Sequence, residues 1–182
     1  MHKQSFFQIH VPLDYNSPWF RDLRAALDKV AKRWYTRFHI TIAFIEDELD
    51  INEARKVADL LYSTLSGAGP LDITFDKLDA FTNQSGSEYI VNLTASNDQP
   101  ALTDLVNKVR AKLTEHGYHL GPYRLHVTLS RIKTNDIDLK PLQDIIGTVK
   151  IQPFTLSLSR ADYRFLKERT NTIREWGWTP TP

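Results

Sequence analysis

The order of hydrophobic patterns along this chain predicts an α+β fold, one domain made of two related lobes. Three observations carry that expectation. Strand-type and helix-type apolar spacings follow one another in the same order twice over. Two alternating segments are joined by a short polar turn, which makes an antiparallel hairpin. No low-complexity stretch or linker parts the two halves, which run over about 1–95 and 96–182 and should pack as one unit.

The first element, residues 6–11, alternates and stops at Pro12, as a strand does. Ser17-Pro18 has the form of an N-cap followed by proline at the first helical position, and Phe20, Leu23, Leu27 and Val30 then recur at helical spacing, giving a helix to about Arg33. Residues 37–45 make the next strand. Asp50 with Glu53 forms a capping-box pattern for a helix carrying Ala54, Val57, Leu60, Leu61 and Leu65, closed by Gly67 and Gly69-Pro70. Residues 71–81 and 88–95 alternate around Asn83-Gln84-Ser85-Gly86, the hairpin.

The order then begins again. Asn97 or Asp98 with Pro100 opens a helix bearing Leu102, Leu105, Val109 and Leu113, which Gly117 ends. Residues 123–132 make a strand, 139–146 a short helix, 149–159 and 163–166 two strands, and the tail 172–178 one more.

Composition narrows the chemistry. At 182 residues with 41% hydrophobic and 25% charged residues, the chain can bury a core of ordinary globular kind. It has no Cys, which excludes disulfides, thiolate catalysis and Cys-based metal sites. A net charge of +1 argues against a broad polyanion-binding surface and leaves room for a small local phosphate site. The opening MHKQSFFQIHVPLD lacks the apolar core of a signal peptide and no later run approaches a membrane span, so a cytoplasmic monomer with no membrane partner is the expectation.

Two stretches stand out. Residues 38–44 read FHITIAF and residues 125–131 read LHVTLSR, each with His, an apolar residue, Thr and another apolar residue in that order. Residues i and i+2 of a strand share a face, so His39, Thr41 and Ala43 lie opposite Phe38, Ile40, Ile42 and Phe44; Arg124, His126, Thr128 and Ser130 lie opposite Leu125, Val127 and Leu129. A single His on a strand is more often structural than catalytic. One such match arises by accident about one time in five and two about one time in fifty, before strand context is required. Both matches fall in strands, at equivalent places in the two halves.

Two histidines across a cleft suit phosphodiester hydrolysis. An imidazole titrates near neutrality, so one ring can take a proton from water while the other gives one to the departing alkoxide. The neighbouring hydroxyls can donate hydrogen bonds to the non-bridging oxygens where charge builds up. The candidate catalytic residues are therefore His39, Thr41, His126 and Thr128. Arg131 and Arg124, and more weakly Arg37, could meet phosphate charge; Tyr123, Tyr35, Trp34, Phe81 and Tyr163 could stack a base. Arg131 reaches the His126 face only if the strand twists or ends there. His2, His10, His116 and His119 show no partner pattern and are read as structural or exposed. A zinc site would want a third ligand at metal-like spacing, and neither strand has an acidic neighbour on its polar face.

His39-Ile40-Thr41-Ile42 and His126-Val127-Thr128-Leu129 resemble the two motif strands of the two-histidine (2H) phosphoesterase superfamily, within it the 2′-5′ RNA ligase-like and cyclic phosphodiesterase proteins. The wider runs FHITIAFIED and YRLHVTLSRIK share the resemblance, including Arg131, as do FFQIHVPL and IQPFTLSLSRADYRFL at the two ends. Many members have Pro before the motif His, where this chain has Phe38 and Leu125; that bears on strand entry more than on chemistry. The resemblance implies a bilobal pseudo-symmetric fold with two antiparallel sheets facing across a central cleft, helices outside, and no metal or cofactor. It implies a phosphodiesterase acting on RNA ends or small nucleotides with a 2′,3′-cyclic phosphate or a 2′-5′ linkage, with ligation as the reverse transfer and a non-catalytic RNA-end or nucleotide-binding module as the alternative. It places His126 as the base on water and His39 as the acid, an assignment that the symmetry of the motifs also permits in reverse.

Overall fold

The computed structural model describes residues 4–166 and 170–179. Thirteen elements follow in the order β1 (Gln4–Val11), α1 (Pro18–Ala26), β2 (Phe38–Ile45), α2 (Ile51–Ser66), β3 (Leu71–Phe75), β4 (Lys77–Thr82), β5 (Glu88–Thr94), α3 (Pro100–Glu115), β6 (Val127–Lys133), α4 (Leu139–Gly147), β7 (Phe154–Leu158), β8 (Arg160–Leu166) and β9 (Thr170–Gly177). All strand pairs are antiparallel. A four-stranded sheet has the order β2-β1-β8-β9, a three-stranded sheet β4-β5-β6, and a two-stranded ladder β3-β7. The α+β class stands. The sheets do not divide the chain at residue 95: β8 and β9 join β1 and β2, and β6 joins β4 and β5.

Local chemistry accounts for most boundaries. The Asp50 carboxylate accepts from the amides of Asn52 and Glu53, while Glu53 accepts from the Asp50 amide, so the capping box that opens α2 is complete. The α3 helix starts at Pro100 behind Gln99, not at Asn97 or Asp98: the Asp98 carboxylate instead accepts from the Thr103 hydroxyl at 2.7 Å. Gly117 ends it at φ +87°, a conformation glycine adopts without strain. The α1 helix stops at Ala26 rather than near Arg33. Its apolar spacing continues, with Leu27 and Ala31 buried, but Val30 already bonds the Leu27 carbonyl in a tighter turn that leads to the Trp34 bridge with Ser130.

The strand expected over residues 71–81 is two strands. At Asp76 the carboxylate accepts the Ser96 amide, and β3 and β4 leave for different sheets. The strand expected over 149–159 begins only at Phe154, after Pro153, which has no amide hydrogen for a ladder. The strand expected from residue 123 begins at Val127. Before it the Leu125 carbonyl accepts the Thr94 hydroxyl at 2.6 Å in place of a ladder partner.

One buried core runs through the molecule. Helices α2 and α3 pack together, α2 against β8 and β9, α3 against β2 and β3, and α4 against β4. The four-stranded sheet faces these helices with Phe7, Ile9, Ile40, Ile42, Tyr163 and Phe165, all at most 2% exposed. Trp178, just past β9, tethers the end of the chain to α2: its indole N–H donates to the Leu65 carbonyl at 2.7 Å.

Gly69 lies flat against that indole, and a Cβ added there would run into the ring. Because the hydrogen bond to Leu65 holds the indole, Gly69→Ala should lower stability by about 1–3 kcal/mol. A wild-type midpoint in chemical denaturation would show that Trp178 gives way freely.

Candidate active site

The two motif strands come together. β2 lies at the edge of the four-stranded sheet, β6 at the edge of the three-stranded one, and the two are in contact. Each carries a β-bulge at the same motif position. On β1, Gln8 pairs with Thr41 and Phe7 with Ala43, so Ile42 has no partner. On β5, Asn92 pairs with Thr128 and Val91 with Ser130, so Leu129 has none. The unpaired residue is in both cases the fourth of the His-x-Thr-x motif.

A one-residue bulge reverses the alternation beyond it. Ala43 and Ser130, expected beside the motif residues, turn inward instead: Ala43 is 1% exposed, and Ser130 is fully buried with its hydroxyl donating to the Arg33 carbonyl at 2.6 Å. Phe44 and Arg131 take their places. Both line a cavity of ≈ 690 Å³ built from both sheets, which Thr41, Phe81, Tyr123, Arg124 and His126 also line. Its volume is of the size that holds a small ligand. His39 and Thr128 are half-buried and do not line it.

Each threonine is opposite a buried amide side chain, Gln8 at 3% exposure and Asn92 at 1%. The Asn92 amide donates to the carbonyls of Asp79 and Ile90, which holds it in place across the ladder from Thr128. Neither residue lies in a motif strand, so the motifs alone do not point to it. The signal was present: strand parity puts Gln8 and His10 on one face of FFQIHV, two polar groups in an otherwise apolar run.

His39 has a charged neighbourhood that its own strand does not reveal. Its cross-strand partner is His10, which lacked a partner pattern in the sequence. The His10 ring bonds the Asp162 carboxylate at 2.8 Å, and Arg164 donates to the same carboxylate at 3.2 Å. Asp162 is fully buried; burial would raise its pKa, but the His10 hydrogen bond and the Arg164 charge hold it below the usual carboxylate range. For His39, burial, reinforced by the charges of His10, Arg164 and His126 and opposed by Asp162, pushes the ring down to about 4.

His126 stands just ahead of β6. Its Nδ1 lies 2.7 Å from the Arg124 carbonyl, which can only accept, so the neutral ring carries its hydrogen on Nδ1 and keeps a lone pair on Nε2. Burial lowers its pKa, the carbonyl bond opposes this, and the charges of Arg124 and Arg131 add to the lowering. Phe81 meets the ring edge-on at 5.1 Å and carries the Arg124 guanidinium on its face at 4.1 Å.

The other candidates separate. Tyr123 lines the cavity, with burial pushing its phenol up to about 12. Tyr35 accepts from Arg131 at 3.2 Å and lines a neighbouring pocket that shares Arg131. Tyr163 is fully buried against Phe7 and presents no face to a base, while Trp34 is half-buried, packs against Phe20 and does not line the cavity. Arg37 opens into a different cavity. His119 pairs with Asp47, His116 bonds the Lys112 carbonyl, and His2 lies outside the described residues. Among the described residues no three His, Asp or Glu stand close enough to hold a metal ion, and no helix is long and apolar enough to cross a membrane.

The depressed pKa of His39 has a consequence for stability. Between pH 6.5 and 4 the unfolded chain binds a proton that the folded site refuses, so stability falls as the pH is lowered through that window. The loss reaches about 3 kcal/mol at pH 4. Denaturation of wild type and His39→Gln at pH 7 and pH 4 should show a smaller drop for the variant; equal drops would mean the ring is solvated in the folded state.

The profile of the 2′-5′ RNA ligase superfamily matches residues 12–164. No curated protein sequence matches. Among solved structures, Escherichia coli LigT in its apo form superposes with a TM-score of 0.58 at 20% identity, covering 98% of each chain. LigT complexed with 3′-AMP gives 0.55 at 19% identity, over 99% of this chain and 100% of LigT. Kluyveromyces marxianus Usb1 gives 0.61 at 10% identity, over 94% of this chain and 98% of Usb1. At such identities the likeness speaks for the fold, and the profile match over most of the chain speaks for the family. With both motif strands inside the matched span, the chain belongs to the 2′-5′ RNA ligase superfamily of two-histidine phosphoesterases.

Proposed function

We propose that this protein is a metal-independent phosphodiesterase that opens 2′,3′-cyclic phosphate ends or 2′-5′ linkages of RNA or small nucleotides by general acid–base catalysis from His39 and His126. The observation that carries the reading is the matched pair of bulges. They bring an arginine and an aromatic ring, Arg131 and Phe44, into the cavity lined by Thr41 and His126.

The reaction adds water across one P–O bond. Neutral His126, held by the Arg124 carbonyl with Nε2 free, takes a proton from water as its oxygen attacks phosphorus. His39 gives its proton to the ribose oxygen as the P–O bond breaks, leaving a phosphomonoester and a hydroxyl. The charge that builds on the non-bridging oxygens is met by the hydroxyls of Thr41 and Thr128 and by Arg131. Arg124 lies over the face of Phe81 at the cavity, where it can meet phosphate charge, and Phe44 and Tyr123 offer faces for the base. Tyr35 acts on substrate through Arg131, whose guanidinium it and Glu88 hold.

Hydrolysis of 2′,3′-cyclic mononucleotides, RNA with a cyclic phosphate end and 2′-5′ oligoadenylate tests the reading. His39→Ala and His126→Ala should each lower turnover at least about 100-fold while remaining folded, and chelators should leave wild type active. Near wild-type turnover by either variant removes the pair. A nitrophenyl phosphodiester needs little protonation on leaving, so it should partly rescue the His39 variant alone; rescue of His126→Ala would reverse the roles.

The pH profile follows from the directions of the two shifts. Both imidazoles are lowered in the empty site, so the bell for kcat/KM, which reports the free protein, should centre below pH 6.5. A bound phosphate anion favours both charged rings, so the bell for kcat should lie at higher pH. Coincident bells centred at or above 7 would contradict this.

A further inference from the structure

We propose that a second cavity beside His39 is a subsite for a neighbouring phosphate of the substrate, which makes the preferred ligand an RNA chain end rather than a cyclic mononucleotide. The inference rests on the phosphodiesterase reading above and specifies its substrate.

This cavity, ≈ 600 Å³, opens at the end of the four-stranded sheet where β1 leaves and β2 enters. It adjoins the catalytic position directly: His10, which lines it, is the cross-strand partner of His39, and Phe38, which also lines it, precedes His39 in the chain. Its ionisable lining is entirely basic, namely His10, Arg37, Arg160 and Arg164, on a protein whose net charge is only +1. The nearby buried Asp162 is spent on His10 and Arg164 and fixes their positions. Arg160 shares a loose, exposed contact of 3.4 Å with Glu175, and Arg37 has no ion-pair partner among the described residues.

Such a lining suits an anion and not a base, because its one aromatic, Phe38, is 4% exposed and offers no face. Guanidinium forks match the paired oxygens of a phosphodiester. Arg37 is two residues before His39, in the bend that leads into β2, which sets the second cavity next to the reacting position. A substrate with its reacting phosphate at His39 and its base between Phe44 and Tyr123 would then lay its adjoining phosphate in this second cavity.

The test is binding, with probes that do not react: uridine 3′-monophosphate, a uridine trinucleotide ending in a 3′-phosphate, and ADP-ribose, whose two phosphates form a pyrophosphate. Wild type should bind the trinucleotide at least about 10-fold tighter than the monophosphate. The Arg37→Gln/Arg160→Gln variant should lose that preference, leave the monophosphate affinity unchanged and show a shallower salt dependence for the trinucleotide. Arg164 is left intact because its removal would strand the buried Asp162 carboxylate. Equal wild-type affinities, a variant that keeps the preference, or one that weakens both probes alike overturns the subsite. An effect confined to ADP-ribose overturns the RNA occupant in favour of a pyrophosphate. Since no probe is hydrolysed, wild type that shows the preference yet cleaves no phosphodiester would sink the phosphodiesterase reading alone.

Discussion

The two β-bulges at Ile42 and Leu129 are the constraint on which the candidate site depends. A strand offers its neighbours one face every second residue, so a regular β6 would send Ser130 outward with Thr128 and turn Arg131 away from His126. One unpaired residue reverses that order. The cost is a local break in the ladder and an increase in twist, features that recur where a strand must re-aim a side chain. Placing the break at the same motif position in both strands treats the two halves alike. Each motif then delivers a histidine, a threonine and one further side chain five residues after the histidine.

Around this backbone device the protein has accepted several groups that a purely stable core would avoid. Asp162 is buried and charged, held by His10 and Arg164; Gln8 and Asn92, the cross-strand partners of the threonines, have almost no exposure. Buried polar groups cost free energy unless bonded, and removing one partner from such a cluster costs more than the cluster contributes. Their effect is to fix the faces on which His39 and His126 stand. Burial around His39 also lowers its basicity, so its proton, once acquired, is readily given up.

The connectivity makes the site a property of the whole chain. β1 is flanked by β2 and β8, which lie near opposite ends of the sequence, and β6 closes a sheet begun by β4 and β5. Two isolated bridges, Trp34 to Ser130 and Ile45 to Leu120, tie the segment before β2 and the last residue of β2 to the second motif region. Neither motif strand therefore reaches its neighbours until distant parts of the chain have packed, and the pairings are long-range ones that carry a loop-closure cost.

Features that depend on short-range rules are legible in the sequence. The α+β class, the capping box at Asp50, the hairpin at Asn83–Gly86 and the existence of all four helices follow from periodicity and caps within a few residues. So does the expectation that His39 and Thr41, and His126 and Thr128, share a face, because i and i+2 do so in a regular strand; of the four, Thr41 and His126 line the cavity. What those faces meet depends on long-range packing. The bulges answer to partners on β1 and β5, so no pattern within FHITIAF or LHVTLSR could announce that Phe44 and Arg131 would replace Ala43 and Ser130. The break at Asp76 and the late start of β6 have the same cause, since each depends on which distant carbonyl or amide is available. His10 is the clearest case: alone it is a polar residue on a strand, and its bond to Asp162 exists only because β8, some 150 residues later, lies beside β1.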